Sequence, residues 1–272
     1  MQATNKHIAI EAVRKTGKHF LNEFRKSNIP QTPDSLMKAL SDIETECLEI
    51  LKGHIDPIFG NIPWAEDDEF DKTSQKTPAS HESYWLCDTM DGAIQYLQHI
   101  PGWTINLVLI KQGEPVFSVI YDPLTDECFH AEQNKGAYLN DTRISPSEKI
   151  SPQNMVAVLE YGHQLQYSDN WKKDFSASLI HLTENFGIVR NYGPHGLQLA
   201  YIGAGRIDLF VQRDLDTHNW LAGMLIAKEA GAKMLSADGE NWKWGHENLI
   251  AGTHSALDIY FQTQKNTSCI SQ

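Results

Sequence analysis

The sequence predicts an α+β first half followed by an α/β second half, the two sharing one interface. Three observations carry that prediction. Two amphipathic stretches with apolar residues at helical spacing open the chain. Residues 84–141 then break into short β-prone runs separated by Gly, Pro and Asp turns. Residues 155–231 alternate strand-like with helix-like segments, which suggests a mostly parallel or mixed sheet. The Ser/Pro/Lys stretch 145–153 separates the last two regions and predicts units of 1–150 and 151–272.

The first helix is expected over 4–26, with Ile8, Ala12, Val13, Phe20, Leu21 and Phe24 near 3.6-residue spacing and Pro30 and Pro33 beyond its end. The second covers 35–52, with Leu36, Leu40, Ile43, Cys47, Leu48 and Leu51 on one face and Gly53 as its C-cap. Residues 64–83 are polar and read as an exposed loop. Strands follow at 85–87, 104–111, 115–122 and 127–132, with Gln112-Gly113 as one hairpin turn, residues 121–126 as another, and 136–141 continuing the meander. Beyond the boundary, strands are expected at 155–160, 187–190 and 207–211 and helices at 168–185, 196–203 and 217–230, the last stopped by Gly231.

With 272 residues the chain can bury a substantial core, as one large domain or two fused halves. A net charge of −12 argues against a nucleic-acid partner, which normally requires a basic face. It is compatible with acidic clusters that recruit a divalent cation, and equally with a plain acidic surface. Cys47, Cys87, Cys128 and Cys269 are scattered without CxxC pairing, which fits reduced thiols in a cytoplasmic protein better than a disulfide framework or zinc site. Residues 1–25 are amphipathic and charged, so no signal peptide is expected. No apolar run approaches the ~18 residues of a membrane span.

The segment most informative about chemistry runs from Trp85 to Gln95. An apolar β-like run, Tyr84 to Cys87, delivers Asp88 and Asp91 to a turn, and Gly92 lets the backbone approach a ligand closely. Two carboxylates beside a glycine suit a hard cation and a phosphate sharing one site, since Mg²⁺ is usually held by one or two carboxylates plus substrate phosphate. A helix beginning at Gly92 would turn its free N–H groups toward an anion. Asp-x-x-Asp-Gly is also ordinary turn chemistry, so the segment needs support from elsewhere.

Four segments in order supply it by resembling the inositol monophosphatase family. Residues 85–93, Trp-Leu-Cys-Asp-Thr-Met-Asp-Gly-Ala, resemble its hydrophobic–Asp–Pro–Ile/Leu–Asp–Gly–Thr signature. Ala65-Glu66-Asp67 resembles its upstream acidic pair, and Asn134 to Asn140 its Gly-Ala-x-x-Asn stretch. His218 to Ala232 resembles its Trp-Asp-x-Ala helix ending Glu-Ala-Gly-Gly. The resemblance implies a layered αβαβα sandwich, antiparallel in its first sheet and mixed in its second, and a Mg²⁺-dependent phosphomonoesterase in which Mn²⁺ can substitute. It further implies metal ligation by Glu66, Asp88, Asp91 and the Met90 carbonyl, orientation of the attacking water by Asp42 with Glu66, and phosphate binding at the N–H groups of Gly92 and Ala93.

The sequence also departs from the family pattern. Ala93 removes a hydroxyl that in relatives bonds the nucleophilic water, and His218-Asn219 stands where relatives carry Trp-Asp. Asn219 offers a second cation a carbonyl but no charge, and Asp216, about one turn earlier, either lends the missing carboxylate or simply caps the helix. Thr89 precedes Met90 where proline is usual, which the turn tolerates. Gly193-Pro194-His195 replaces small residues lining the polyol pocket, and Gln212 falls near an acid that contacts the sugar-like ring. His195 and His218 read either as substrate or phosphate contacts or as surface residues, and the surface is the expected place for both.

The expected activity is hydrolysis of a small phosphomonoester of the inositol phosphate, sugar phosphate or nucleotide 3'-phosphate type, by a metal-activated water. The competing expectation is a catalytically impaired descendant that binds one cation or a phosphorylated ligand in a regulatory or assembly role. A small phosphorylated substrate, no nucleic acid, no membrane and, by analogy with relatives, a homodimer complete the expectations.

Overall fold

The computed structural model describes residues 3–65, 74–161 and 168–270 of the chain. Two helices come first, α1 (Ala3–Glu23) and α2 (Pro33–Phe59). Thr32 starts α2 with a capping box: its hydroxyl accepts from the Ser35 N–H at 3.2 Å while its own N–H donates to Ser35 Oγ at 3.0 Å. Gly53 does not cap this helix, contrary to the sequence reading. The buried stripe Ile43, Cys47, Leu51, Ile55, Phe59 continues at four-residue spacing through Gly53, and burial of the last two outweighs the local stop signal.

An antiparallel meander follows: β1 (Ser83–Asp91), β2 (Thr104–Lys111), β3 (Glu114–Asp122), β4 (Glu127–Glu132), β5 (Ala137–Leu139) and β6 (Thr142–Arg143), paired in that order. The turn from β2 to β3 is Gln112-Gly113, both at positive φ as a type I′ hairpin requires. A short helix α3 (Ala93–Leu97) interrupts the first connection. The second sheet holds β7 (Val156–Glu160), β8 (Ile188–Arg190), β9 (Leu209–Gln212), β10 (Lys233–Leu235) and β11 (Leu249–Gly252) in the order β10-β11-β9-β7-β8. β7 runs parallel to both neighbours, while β9, β11 and β10 pair antiparallel. The remaining helices are α4 (Asp169–Asn185), α5 (His195–Gly203), α6 (Thr217–Ala230) and α7 (His254–Ile270). β10, β11 and α7 lie beyond the elements read from the sequence.

The two-residue period of the strands sorts these elements into layers. Trp85, Cys87, Ile105, Leu107, Phe117 and Val119 face α1 and α2. The alternate residues Tyr84, Leu86, Val108, Ile110 and Ile120 face Leu197 and Ala200 of α5 and Leu221 and Leu225 of α6. The opposite side of those two helices, through Leu199, Ile202, Trp220 and Met224, meets Val158, Phe210, Leu249 and Ala251 of the second sheet. That sheet's far face packs on Leu182 of α4 and on Ala256, Leu257 and Tyr260 of α7. The result is the αβαβα sandwich the sequence predicts.

The middle helix layer belongs to the second half of the chain but serves both sheets. Glu229 near the end of α6 accepts from the N–H groups of Asn134 at 2.8 Å and Gly136 at 2.9 Å, joining two of the segments singled out in the sequence. α5 and α6 cross closely because Gly223 has no side chain: a Cβ there would lie 2.5 Å from the Gly196 carbonyl oxygen. This contact brings the N-terminal ends of α5 and α6 together beside the end of β1.

Candidate metal and phosphate site

Asp88 and Asp91 belong to β1 itself, not to a turn after it. Asp88 pairs with Asn106 and Asp91 with Thr104, with a register break between them that re-aims the strand. From the α2 side, Cys47 Sγ donates to the Thr89 carbonyl at 2.7 Å, pinning the irregular stretch. Burial pushes the Cys47 thiol up, and the nearby charges of Asp88, Glu46 and Glu44 push it further. Met90 buries its side chain in the α1/α2 core.

Asp91 is buried and held from both halves of the chain. Its Oδ2 accepts from Asn106 Nδ2 at 3.0 Å and the Gly196 N–H at 2.8 Å, and its Oδ1 from the His195 N–H at 3.2 Å. Thr104 Oγ1 donates to Asn106 Oδ1 at 2.8 Å, which orients that amide. The two N–H groups are the first of α5, where a helix has unsatisfied donors. Burial raises the Asp91 carboxyl to about 6, against the opposing pull of the His195 charge, the Gly196 N–H and the Asn106 amide.

Gly92 caps α3 at φ +89°, and a Cβ there would meet the Gly102 carbonyl oxygen at 2.6 Å. Only glycine fits, for both space and backbone conformation. Ala93 is the first residue of α3 and is buried.

Glu66, with its neighbour Asp67, lies outside the described residues. The chain leading to it is anchored beside β1, where the Ala65 N–H donates to the Trp85 carbonyl at 2.8 Å and the Trp85 N–H to Pro63 at 2.8 Å. Among the described residues no group of three or more His, Cys, Asp or Glu is arranged to hold a metal ion. A positive ion beside Asp91 would offset the burial penalty on its charged form. Asp42 sits on the exposed face of α2, its carboxylate bonded to Lys38 Nζ at 2.5 Å and 63% exposed.

The second-half residues form a buried polar network. His195, expected at the surface, is 6% exposed, because α5 starts at this residue between the two sheets. Its Nδ1 donates to Asp216 Oδ2 at 2.7 Å, and its Nε2 lies 3.6 Å from Glu160 Oε2. Burial alone would lower this imidazole, but Asp216, Glu160 and Asp91 outweigh it and hold it well above the ordinary histidine range. Glu160 Oε1 also accepts from the N–H groups of Tyr192 at 3.1 Å and Gly193 at 3.0 Å and from Gln198 Nε2 at 2.8 Å.

Asp216 occupies the N-cap position of α6 but makes no side-chain cap bond. Its carboxylate instead takes His195, Gln212 Nε2 at 3.0 Å and Asn219 Nδ2 at 2.7 Å. Gln212 is fully buried, with its Oε1 accepting from Trp220 Nε1 at 2.8 Å, so both ends of its amide are used inside the protein. His218, also expected at the surface, is 8% exposed. It lines a cavity of about 350 Å³ with Trp64, Ala65, His81, Tyr84 and Trp244, between the chain entering Glu66 and the start of α6.

The sequence reading missed Asn106 and Glu160. Asn106 was visible as a polar residue inside the apolar run 104–111. Glu160 ends a strand and carried no local signal.

The layered fold is one that solved phosphatases share. An inositol monophosphatase from Anabaena (Nostoc) sp. PCC 7120 superposes with a TM-score of 0.79 at 22% identity, covering 97% of this chain and 95% of that one. The extragenic suppressor protein suhB from Bartonella henselae gives 0.79 at 22% identity, covering 97% and 99%. Sequence comparison carries the assignment further: the model of the inositol monophosphatase family matches residues 2–267, and the chain belongs to that family. Among curated relatives, the inositol-1-monophosphatase of Rhizobium meliloti is 30% identical over 251 residues, 91% of this chain and 89% of its own length. The fructose-1,6-bisphosphatase/inositol-1-monophosphatase of Thermotoga maritima is 26% identical, covering 89% of each. Nus factor SuhB of Vibrio cholerae is 26% identical, covering 94% of each. Members of the family are phosphatases and are generally metal-dependent. Among the described residues no helix is long and apolar enough to cross a membrane.

Proposed function

We propose that this protein hydrolyses a small phosphomonoester (an inositol phosphate, a sugar phosphate or a nucleotide 3'-phosphate) with the help of Mg²⁺, Mn²⁺ serving as a substitute. The observation that carries this reading is Asp91, a buried carboxylate held by N–H donors from both halves of the chain, next to a glycine that admits no side chain. Membership of a phosphatase family supports it.

Asp88 and Asp91, with Glu66 and the Met90 carbonyl, would hold the cation. When bound, the cation makes a ligated water more acidic and stabilises charge on the phosphate and the leaving alkoxide. The N–H groups of Gly92 and Ala93 would hold the phosphate, because the start of α3 leaves backbone donors without partners inside the helix. Asn106 and the start of α5 keep Asp91 aimed, so the approach of a ligand requires no reorganisation there. Glu66 is the group to accept the water's proton. Asp42 is given no step, since its exposed carboxylate is already bonded to Lys38. The cavity beside His218 is the place for the leaving group; Gly193 and His195, which lie against Glu160 and Asp216 and do not line that cavity, are the remaining candidates for specificity.

The test is phosphate release over a panel of phosphomonoesters with Mg²⁺ or Mn²⁺, with Asp88→Asn as control. Turnover that the substitution abolishes supports the enzyme. A second reading is favoured by Ala93 and Asn219, which strip groups from the chemistry and spare the fold, and by a relative named Nus factor SuhB. In that reading the chain binds one cation or a phosphorylated ligand in a regulatory or assembly role, and cation binding without turnover on any substrate supports it.

A further inference from the structure

We infer that this chain holds one divalent cation per site where the family pattern provides for two, because the His195–Asp216 pair closes the second position from within. The inference rests on the reading above that Asp88 and Asp91 hold the first.

The family's second carboxylate is Asn219 here, and the acid nearest to replacing it is Asp216. Its carboxylate offers about four acceptor positions. Three donors take it, His195 Nδ1 at 2.7 Å, Gln212 Nε2 at 3.0 Å and Asn219 Nδ2 at 2.7 Å, and what sets it apart from Asp91, which also has three, is that one of them is a buried imidazole. Each donor is itself held. Trp220 Nε1 engages Gln212 Oε1, so the amide's NH₂ end must face Asp216. His195 is fastened by its own N–H to Asp91 and has Glu160 beside its other ring nitrogen. Asn219 spends its NH₂ on Asp216 and keeps only a neutral carbonyl for a ligand.

Mg²⁺ demands near-octahedral geometry at about 2.0–2.1 Å and gives up water reluctantly. Recruiting Asp216 would break a charge-assisted bond and leave a buried imidazole with only Glu160, 3.6 Å from its other ring nitrogen. A neutral carbonyl from Asn219 does not offset that loss. The donor set therefore does not fit a second cation; Asp216 stands at the N-cap position of α6, as one of the two sequence readings has it, but its side chain makes no cap bond and goes to His195 instead.

The test is the number of Mn²⁺ ions bound by the full chain, from isothermal titration and from metal analysis after equilibrium dialysis. The wild type is expected to bind one, Asp88→Asn to lose it, and Asp216→Asn to leave the count at one. Combining His195→Ala with Asn219→Asp removes two of the three donors from Asp216 and adds a carboxylate, and should raise the count to two. A wild type that binds two, with Asp216→Asn removing one, overturns the inference while leaving the first site intact. A double variant that folds, as judged by circular dichroism, and still binds one overturns the claim that this pair closes the position. Should the double variant fail to fold, the wild-type and Asp216→Asn counts decide alone. Mn²⁺ binding that is absent, or indifferent to Asp88→Asn, instead overturns the reading of the first site and this inference with it.

Discussion

Asp91 and Asp216 are both buried carboxylates at the junction of the two halves, yet their surroundings satisfy them differently. Asp91 has direct bonds only from neutral donors, two backbone N–H groups and the Asn106 amide, and its carboxyl is raised to about 6. Asp216 is bonded to an imidazole that is itself held well above the ordinary histidine range. Neutral donors aim a carboxylate without cancelling its charge, and the His195 charge, which acts on Asp91 without a side-chain bond to it, offsets only part of its burial penalty. A charged partner bonded directly meets the demand for a cation at once, and Asp216 is left with none. In the proposed reading the β1 side is the metal centre, while the acidic group of the α6 side is turned inward onto His195.

The sharpest way to break this contrast is Asp88→Asn. If the β1 side is the metal centre, phosphate release in Mg²⁺ should fall by about 10³-fold, since losing a metal-held charge forfeits several kcal/mol of stabilisation. Activity within tenfold of the wild type would mean the β1 carboxylates do not carry the chemistry.

A second test uses pH. A carboxyl raised to about 6 is protonated below that value, and a cation binds only the deprotonated form. The apparent Kd for Mn²⁺ should therefore rise by about tenfold per pH unit below about 6 and level off above it. Titrations between pH 5 and 7.5 would show the bend, and a flat profile would mean Asp91 is not a ligand.

The α6 side is tested by Trp220→Phe. The substitution keeps the buried ring but leaves Gln212 Oε1 without its donor, at a cost of about 1–3 kcal/mol. Urea unfolding should register that loss while the Mn²⁺ count stays the same. A lost cation would show that the network supports metal binding after all.

How far the sequence revealed this contrast depended on how local each signal was. Asp88, Asp91 and Gly92 form a short contiguous pattern, and α6 announces both ends within its own segment, down to Gly231 at φ +117°. The end of α2 is not legible locally: Gly53 is a stop signal in the sequence, whereas the burial of Ile55 and Phe59 that overrides it is tertiary. His195 was seen as a departure from small residues, but a histidine after Gly-Pro reads as exposed. Its burial depends on Glu160 and Asp216, which come from another strand and another helix and have no spacing rule tying them to it.

The mildest test returns to the β1 side and asks whether the missing hydroxyl limits the rate. Ala93 opens α3 directly after the left-handed Gly92 and is buried in the cluster that α1 and α2 form with the first sheet. Threonine would restore the hydroxyl that relatives use to bond the attacking water. One such bond is worth about 1 kcal/mol, so Ala93→Thr should raise kcat by about fivefold. The Mn²⁺ affinity should not change, because the substitution adds no ligand charge. A gain in kcat alone would place the chain's deficit in the handling of water. If kcat stays level while the His195→Ala, Asn219→Asp variant gains activity, the deficit lies instead in the charge that the α6 side has withdrawn.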